Sequence, residues 1–209
     1  VGSLIALKVK MTSIPEMVAL FNGFGGLATF FIAWSEFNSV PENTFQYVLI
    51  MLTTYIGGVT FSGSIVAYGK LSEKLKIQKT SIITKLFTTV FYVSLVFLLY
   101  TILITPTLIP NFEFFTVLLV LTLLGGIGFV IPIGGGDMPV VISLLNSFSG
   151  IAAAFAGLLL LNNVLIVAGS LVGASGLILT VIMAKAMNRS IGNILFVGYA
   201  SSTSGTKSE

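Results

Sequence analysis

Neither cysteine nor histidine occurs in this chain of 209 residues. Without cysteine there is no disulfide framework and no thiolate metal site. Without histidine the usual proton shuttle and the commonest metal ligand are missing, so Ser-His and Cys-His catalysis within the chain are excluded. Charge is scarce as well. Only 8% of residues are charged, against about 25% in a soluble domain. With 56% hydrophobic residues and a mean hydropathy of +1.07, the chain cannot cover its surface with polar groups. Its solvent is therefore largely lipid.

What is present is a series of long apolar runs. A bilayer core of about 30 Å takes about 20 apolar residues per helix. Six runs meet that length, at 16–35, 45–69, 86–105, 114–133, 139–160 and 164–184. Residues 1–7, VGSLIAL, are apolar but too short to span, and read as the tail of a truncated helix. The fold class is thus all-α: a polytopic transmembrane helical bundle of six full spans plus a truncated N-terminal helix. Pro15, Pro41, Pro110 and Pro139 fall near the expected helix starts, where a missing N–H costs little.

If each run crosses the membrane, the charges sort by side. Lys8, Lys10, Lys70, Lys74, Lys76, Lys79, Lys85, Lys185, Arg189 and Lys207 share one side, and the opposite loops carry Glu36, Glu42 and Glu113 with no Lys or Arg. That asymmetry marks the basic side as cytoplasmic or matrix, the C-terminus included, in a bacterial inner or mitochondrial inner membrane. It leaves no concentrated basic patch for nucleic acid. Residues 1–200 read as the membrane domain. Residues 201–209, SSTSGTKSE within a small-residue tail, read as the start of a linker or as a frayed end.

The chain also repeats itself. Residues 14–31 align with 138–155 through seven identities in eighteen positions, among them Pro15 with Pro139, Asn22 with Asn146 and Gly26 with Gly150. A weaker echo sets FSGSI (61–65) on ASGLI (174–178). The repeated helices run in the same direction, which is the pattern of a parallel repeat.

No Lys, Arg, Asp or Glu sits near the middle of a span, so the buried polar groups are amides and hydroxyls: Asn22, Asn146, Thr60, Ser62, Ser64, Ser143, Ser147 and Ser175. An unpaired amide in hydrocarbon costs several kcal/mol. Asn22, Ser64 and Asn146 either bridge neighbouring helices or line a narrow hydrated path. Gly169, Gly173 and Gly176, like Gly57, Gly58 and Gly63, form small-residue seams for close helix packing. In IPIGGGDMPVV (131–141) three glycines precede Asp137. No Lys follows them as in a phosphate-cradling loop, and Asp137 is placed to cap the next helix. Glu16 opens a helix on the same side.

Four stretches together carry a family resemblance: MTSIPEMVALFNGFGGLA, VTFSGSIVAYGKL, GGGDMPVVISLLNSFSGIAAAFAG and GSLVGASGLILTVIMAKAMNRS. In this order they closely resemble the membrane part of the β subunit of proton-translocating NAD(P)+ transhydrogenase. The resemblance covers nearly the whole chain. It implies inward proton transfer coupled to hydride transfer from NADH to NADP+. It also implies a soluble NADP(H)-binding domain beyond residue 209, other transhydrogenase subunits, and a homodimeric complex. NADP(H) and NAD(H) would bind in the soluble domains, with no cofactor, metal or hydride-transfer site in this segment. By position, Ser64 and Asn146 resemble proton-path residues, and Asp137 a coupled acid at the cytoplasmic mouth. Gly173 and Gly176 resemble close-packing glycines, and Arg189 the basic residue facing the NADP domain. Well-known members carry a channel His where this chain has Asn22. Either a partner subunit's membrane helix supplies the ionisable group, or Asn22 holds water and no titratable group is needed there; the resemblance favours the first, since some members place a His on a partner subunit's helix. A free-standing secondary transporter built on the repeat, or a membrane anchor without conduction, are the competing readings.

Overall fold

The computed structural model describes residues 13–39, 41, 43–75, 82–104 and 112–195. Among these the regular structure is helical: α1 (Ile14–Asn38), α2 (Thr44–Leu71), α3 (Ile82–Ile104), α4 (Phe112–Val130), α5 (Met138–Leu159), α6 (Asn163–Ala186) and a short α7 (Ile191–Leu195), with a 3-10 turn over Gly135–Asp137. The first six are long and apolar enough to cross a membrane, as the hydrophobic runs require. The expected N-terminal helix, Pro110 and the tail 201–209 lie outside the described residues.

Local chemistry sets the boundaries. Pro15 and Pro139 occupy the first turns of α1 and α5, where a proline ring is already shaped for the helix. Asn43 caps α2 by accepting from the Gln46 N–H at 2.8 Å, and Asn162 caps α6 by accepting from Leu165 N–H at 3.1 Å. The fourth run ends three residues earlier than its apolarity suggests, at Val130. Pro132 disfavours helical geometry at Ile131 and turns the chain out. The α5–α6 connection is only Leu160–Asn162. It is closed by Asn162 N–H donating to Gly157 O at 2.8 Å, with Leu161 forced to φ 51°.

Two apolar clusters fix the topology. One joins the start of α1 and α5 to the ends of α2, α4 and α6, through Ala19, Leu145, Ala67, Val130 and Ala184. The other joins the ends of α1, α3 and α5 to the starts of α2 and α4, through Phe37, Leu98, Leu159, Ile50 and Phe115. Successive helices therefore alternate in direction, and the first cluster lies at the end that carries Lys70, Lys185 and Arg189. Helix α2 is central, 72% buried over its most apolar window, against 17% for α3 and 22% for α6. Helices α1, α4 and α5 surround it, while α3 rests on α4 and α6 on α5.

Candidate functional site: a hydroxyl and amide seam

Three helices meet through side chains at Asn22. The Ser149 hydroxyl of α5 donates to Asn22 Oδ1 at 2.6 Å, and Asn22 Nδ2 donates to Ser64 Oγ of α2 at 2.9 Å. The run thus has one direction, from α5 through α1 to α2. Ser64 is fully buried and Asn22 nearly so. Gly23 permits the approach, since a Cβ there would sit 3.2 Å from Ser64 Cβ. Asn22 and Ser64 were expected together. Ser149 was not, because a helical serine ordinarily satisfies its own hydroxyl on the preceding turn. The one signal for it is its place three residues beyond Asn146, on the same helix face. Asn146 itself is exposed, and so is Gly25 beside Ser149. The polar run therefore opens on the outer surface of the chain between α1 and α5.

In the other direction the seam closes. A Cβ on Gly26 would lie 2.8 Å from Gly57 O, and one on Gly57 would lie 2.9 Å from Gly26 O. Backbones touch there, leaving no room for water. Beside this contact the Thr60 hydroxyl is fully buried and has no hydrogen-bond partner.

The same architecture recurs in α5–α6. Gly150 repeats Gly26: its Cβ would meet Gly173 N at 2.3 Å and Gly169 O at 2.9 Å, just as Gly26 meets Phe61 N and Gly57 O. The contacts therefore equate Phe61 with Gly173 and Ser64 with Gly176, one residue off the FSGSI–ASGLI echo. In this register the hydroxyl changes helices. Gly23 faces Ser64 in the first hairpin, whereas in the second Ser147 faces Gly176 and donates to Gly173 O at 2.6 Å. Ser143 adds a bond to Gly176 O at 3.3 Å. Asn146, the repeat of Asn22, thus has a glycine where Asn22 has the hydroxyl of Ser64.

At the basic end, Asp137 is 5% exposed and its Oδ1 lies 3.5 Å from Nε of Arg189, whose side chain is 55% exposed. Asp137 occupies the N-cap position of α5, but its side chain makes no capping bond. It serves the ion pair with Arg189 instead of the expected cap. Arg189 and Lys185 line an open cleft of about 470 Å³ with Asn188 and Ser190. Glu16 lies in the first turn of α1, at the same end. Lys70 Nζ donates to Val130 O at 3.1 Å, to Ile133 O at 2.7 Å and to Ile131 O. Among the described residues no group of three acidic side chains comes close enough to hold a metal.

The chain matches the family "NAD(P) transhydrogenase beta subunit" over residues 1–209. It is 39% identical over 211 aligned residues to NAD(P) transhydrogenase subunit beta of Rhodospirillum rubrum, covering 96% of this chain and 45% of that protein. A second subunit beta sequence from the same species gives the same figures. The chain spans less than half the length of these relatives. None of these matches supports a free-standing secondary transporter. Six apolar helices and a family match over residues 1–209 agree: this chain belongs to the NAD(P) transhydrogenase beta subunit family.

Proposed function

We propose that this chain is the membrane domain through which a proton-translocating NAD(P)+ transhydrogenase conducts protons inward as hydride passes from NADH to NADP+. The observation that carries the reading is the directed run Ser149–Asn22–Ser64 inside an otherwise apolar bundle. Asn22 and Ser64 line the path, and Asn146 extends it on the outer face. Amides and hydroxyls orient water and pass hydrogen bonds, but none of them changes charge near neutral pH. The charge-changing group comes from a partner: a membrane helix of another transhydrogenase subunit, seated over Gly25, Ser149 and Asn146 and supplying a His near Asn22.

Coupling needs two states of the bundle whose balance shifts with nucleotide occupancy. Asp137, Arg189 and Glu16 at the basic end feel the soluble NADP(H)-binding domain, to which residues 201–209 lead. Gly173 and Gly176 keep α6 tight against α5 so that a displacement of one is felt by the other. NADP(H) and NAD(H) bind in the soluble domains of a dimeric complex, and the basic end faces the cytoplasm or matrix.

Asn22→Leu in the full complex, reconstituted in vesicles, tests the path. Proton uptake should fall by about tenfold or more, with NADP(H) binding retained. Undiminished uptake rejects Asn22 as part of the path.

A further inference from the structure

Lys70 ends α2 at the point where two helix C-termini meet. Helices α2 and α4 run in the same direction and both finish at the basic end. The partial negative charges of their last carbonyls are therefore side by side. Lys70 lies in the last turn of α2, and its ammonium reaches across to donate to the carbonyls of Val130, Ile131 and Ile133. An ammonium has three N–H donors, and three carbonyls converge on it. Those carbonyls belong to the final residue of α4 and to the turn that follows.

That turn leads directly to Asp137. Gly134 O accepts from Asp137 N–H at 3.1 Å, and the Asp137 carboxylate meets Arg189. In the other direction along α2, Ser64 lies six residues before Lys70, about 9 Å along the axis. Lys70 thus shares a helix with Ser64 of the Asn22–Ser64 bond and is hydrogen-bonded to the turn that leads to Asp137. Helix α2 touches α1, α4 and α5, so a shift of its end is a shift of the seam.

We propose that Lys70 is a positioning residue for proton coupling. It clamps the α4–α5 connection to α2, so that a change at the Asp137–Arg189 pair displaces Ser64 relative to Asn22. The inference rests on the proton-conducting reading above.

The test uses the full complex in vesicles with Ile133→Cys as a reporter. The Ile133 side chain is fully buried in the turn that Lys70 holds, so a thiol there reacts slowly until the turn loosens, and the chain has no other cysteine. The complex without I133C, treated with the same maleimide, sets the background from other subunits, and I133C with Lys70 intact is the parent. Two quantities are read: the rate at which a membrane-impermeant maleimide reacts with the I133C thiol, and the number of protons taken up per hydride transferred. Lys70→Met should raise the labelling rate about tenfold and lower the proton-to-hydride ratio, while hydride transfer between the nucleotides continues. Lys70→Arg keeps the charge but not the geometry for three converging carbonyls, and should raise labelling about threefold. Parent-like labelling and ratio in K70M overturn the proposal. So does a K70M complex that loses thermal stability while keeping the parent ratio, since Lys70 would then be only a helix cap. If K70M fails to assemble, parent-like values in K70R overturn it equally. A parent complex that transfers hydride without proton uptake sinks the functional reading instead, and the labelling rates still decide whether Lys70 holds the turn.

Discussion

Asn22 uses both halves of its amide, and that divides the roles of its neighbours. Its carbonyl takes the Ser149 proton donor and its NH2 serves Ser64. Ser149→Ala should therefore lower proton uptake by about tenfold, as is expected of Asn22→Leu, because it cuts the run at its open end. Its cost in stability should stay near 1 kcal/mol, typical of a single hydrogen bond between membrane helices. Asn146→Leu separates the two readings of an exposed amide. In this chain alone it should change unfolding by less than about 0.5 kcal/mol. In the assembled complex it should reduce proton uptake if, as proposed, a partner helix covers the outer face. Asn22 and Ser64 were legible in the sequence because polar groups in an apolar run must find partners. Ser149 was not, because its partner lies 127 residues away and no local spacing announces it. Asp137 was legible as the residue that opens α5, but its ion pair with Arg189 depends on where α6 ends in space.

At the scale of helices, the spans followed from apolar length alone, while their packing depended on glycines that a sequence pattern does not rank. Gly150 and Gly135 show the contrast. A Cβ on Gly150 would come within 2.3 Å of Gly173 N, a backbone atom that cannot swing away, whereas one on Gly135 meets nothing within 4 Å. Gly150→Ala should therefore force α5 and α6 apart and destabilise the folded chain by about 1–3 kcal/mol. Gly135→Ala should stay within about 0.5 kcal/mol. Denaturant unfolding in mild detergent checks both, and equal values for the two would mean that the Gly150 contact is not tight. The repeat was also legible, but its second half was one residue out of register. Sequence identity favours matching letters, SG on SG. The backbone contacts instead match Gly57 O with Gly169 O, because close approach is decided by which backbone atoms face Gly26 and Gly150.

For the whole molecule, the two ends differ in chemistry as well as in position. Among the described residues the end that gathers Ala19, Ala67 and Ala184 also carries Lys70, Lys74, Lys185 and Arg189. The opposite end carries Glu36 and Glu113, together with exposed aromatics: Trp34 near the end of α1, Phe45 at the start of α2, Tyr100 near the end of α3 and Phe112 at the start of α4. Aromatic rings of this kind prefer the interface, and Lys and Arg are retained on the cytoplasmic side. Together they predict both the depth and the orientation of the bundle. Ser39 and Ser72 each lie just past a helix, at opposite ends, so a thiol at either reports its side. In sealed vesicles with the cytoplasmic face outward, an impermeant maleimide should label Ser72→Cys at once. Ser39→Cys should react only after the membrane is permeabilised. The reverse order would invert the bundle, and with it the side on which Asp137 and Arg189 lie. Labelling of both thiols from one face would contradict the alternation of the helices itself, because α2 would then not cross between them.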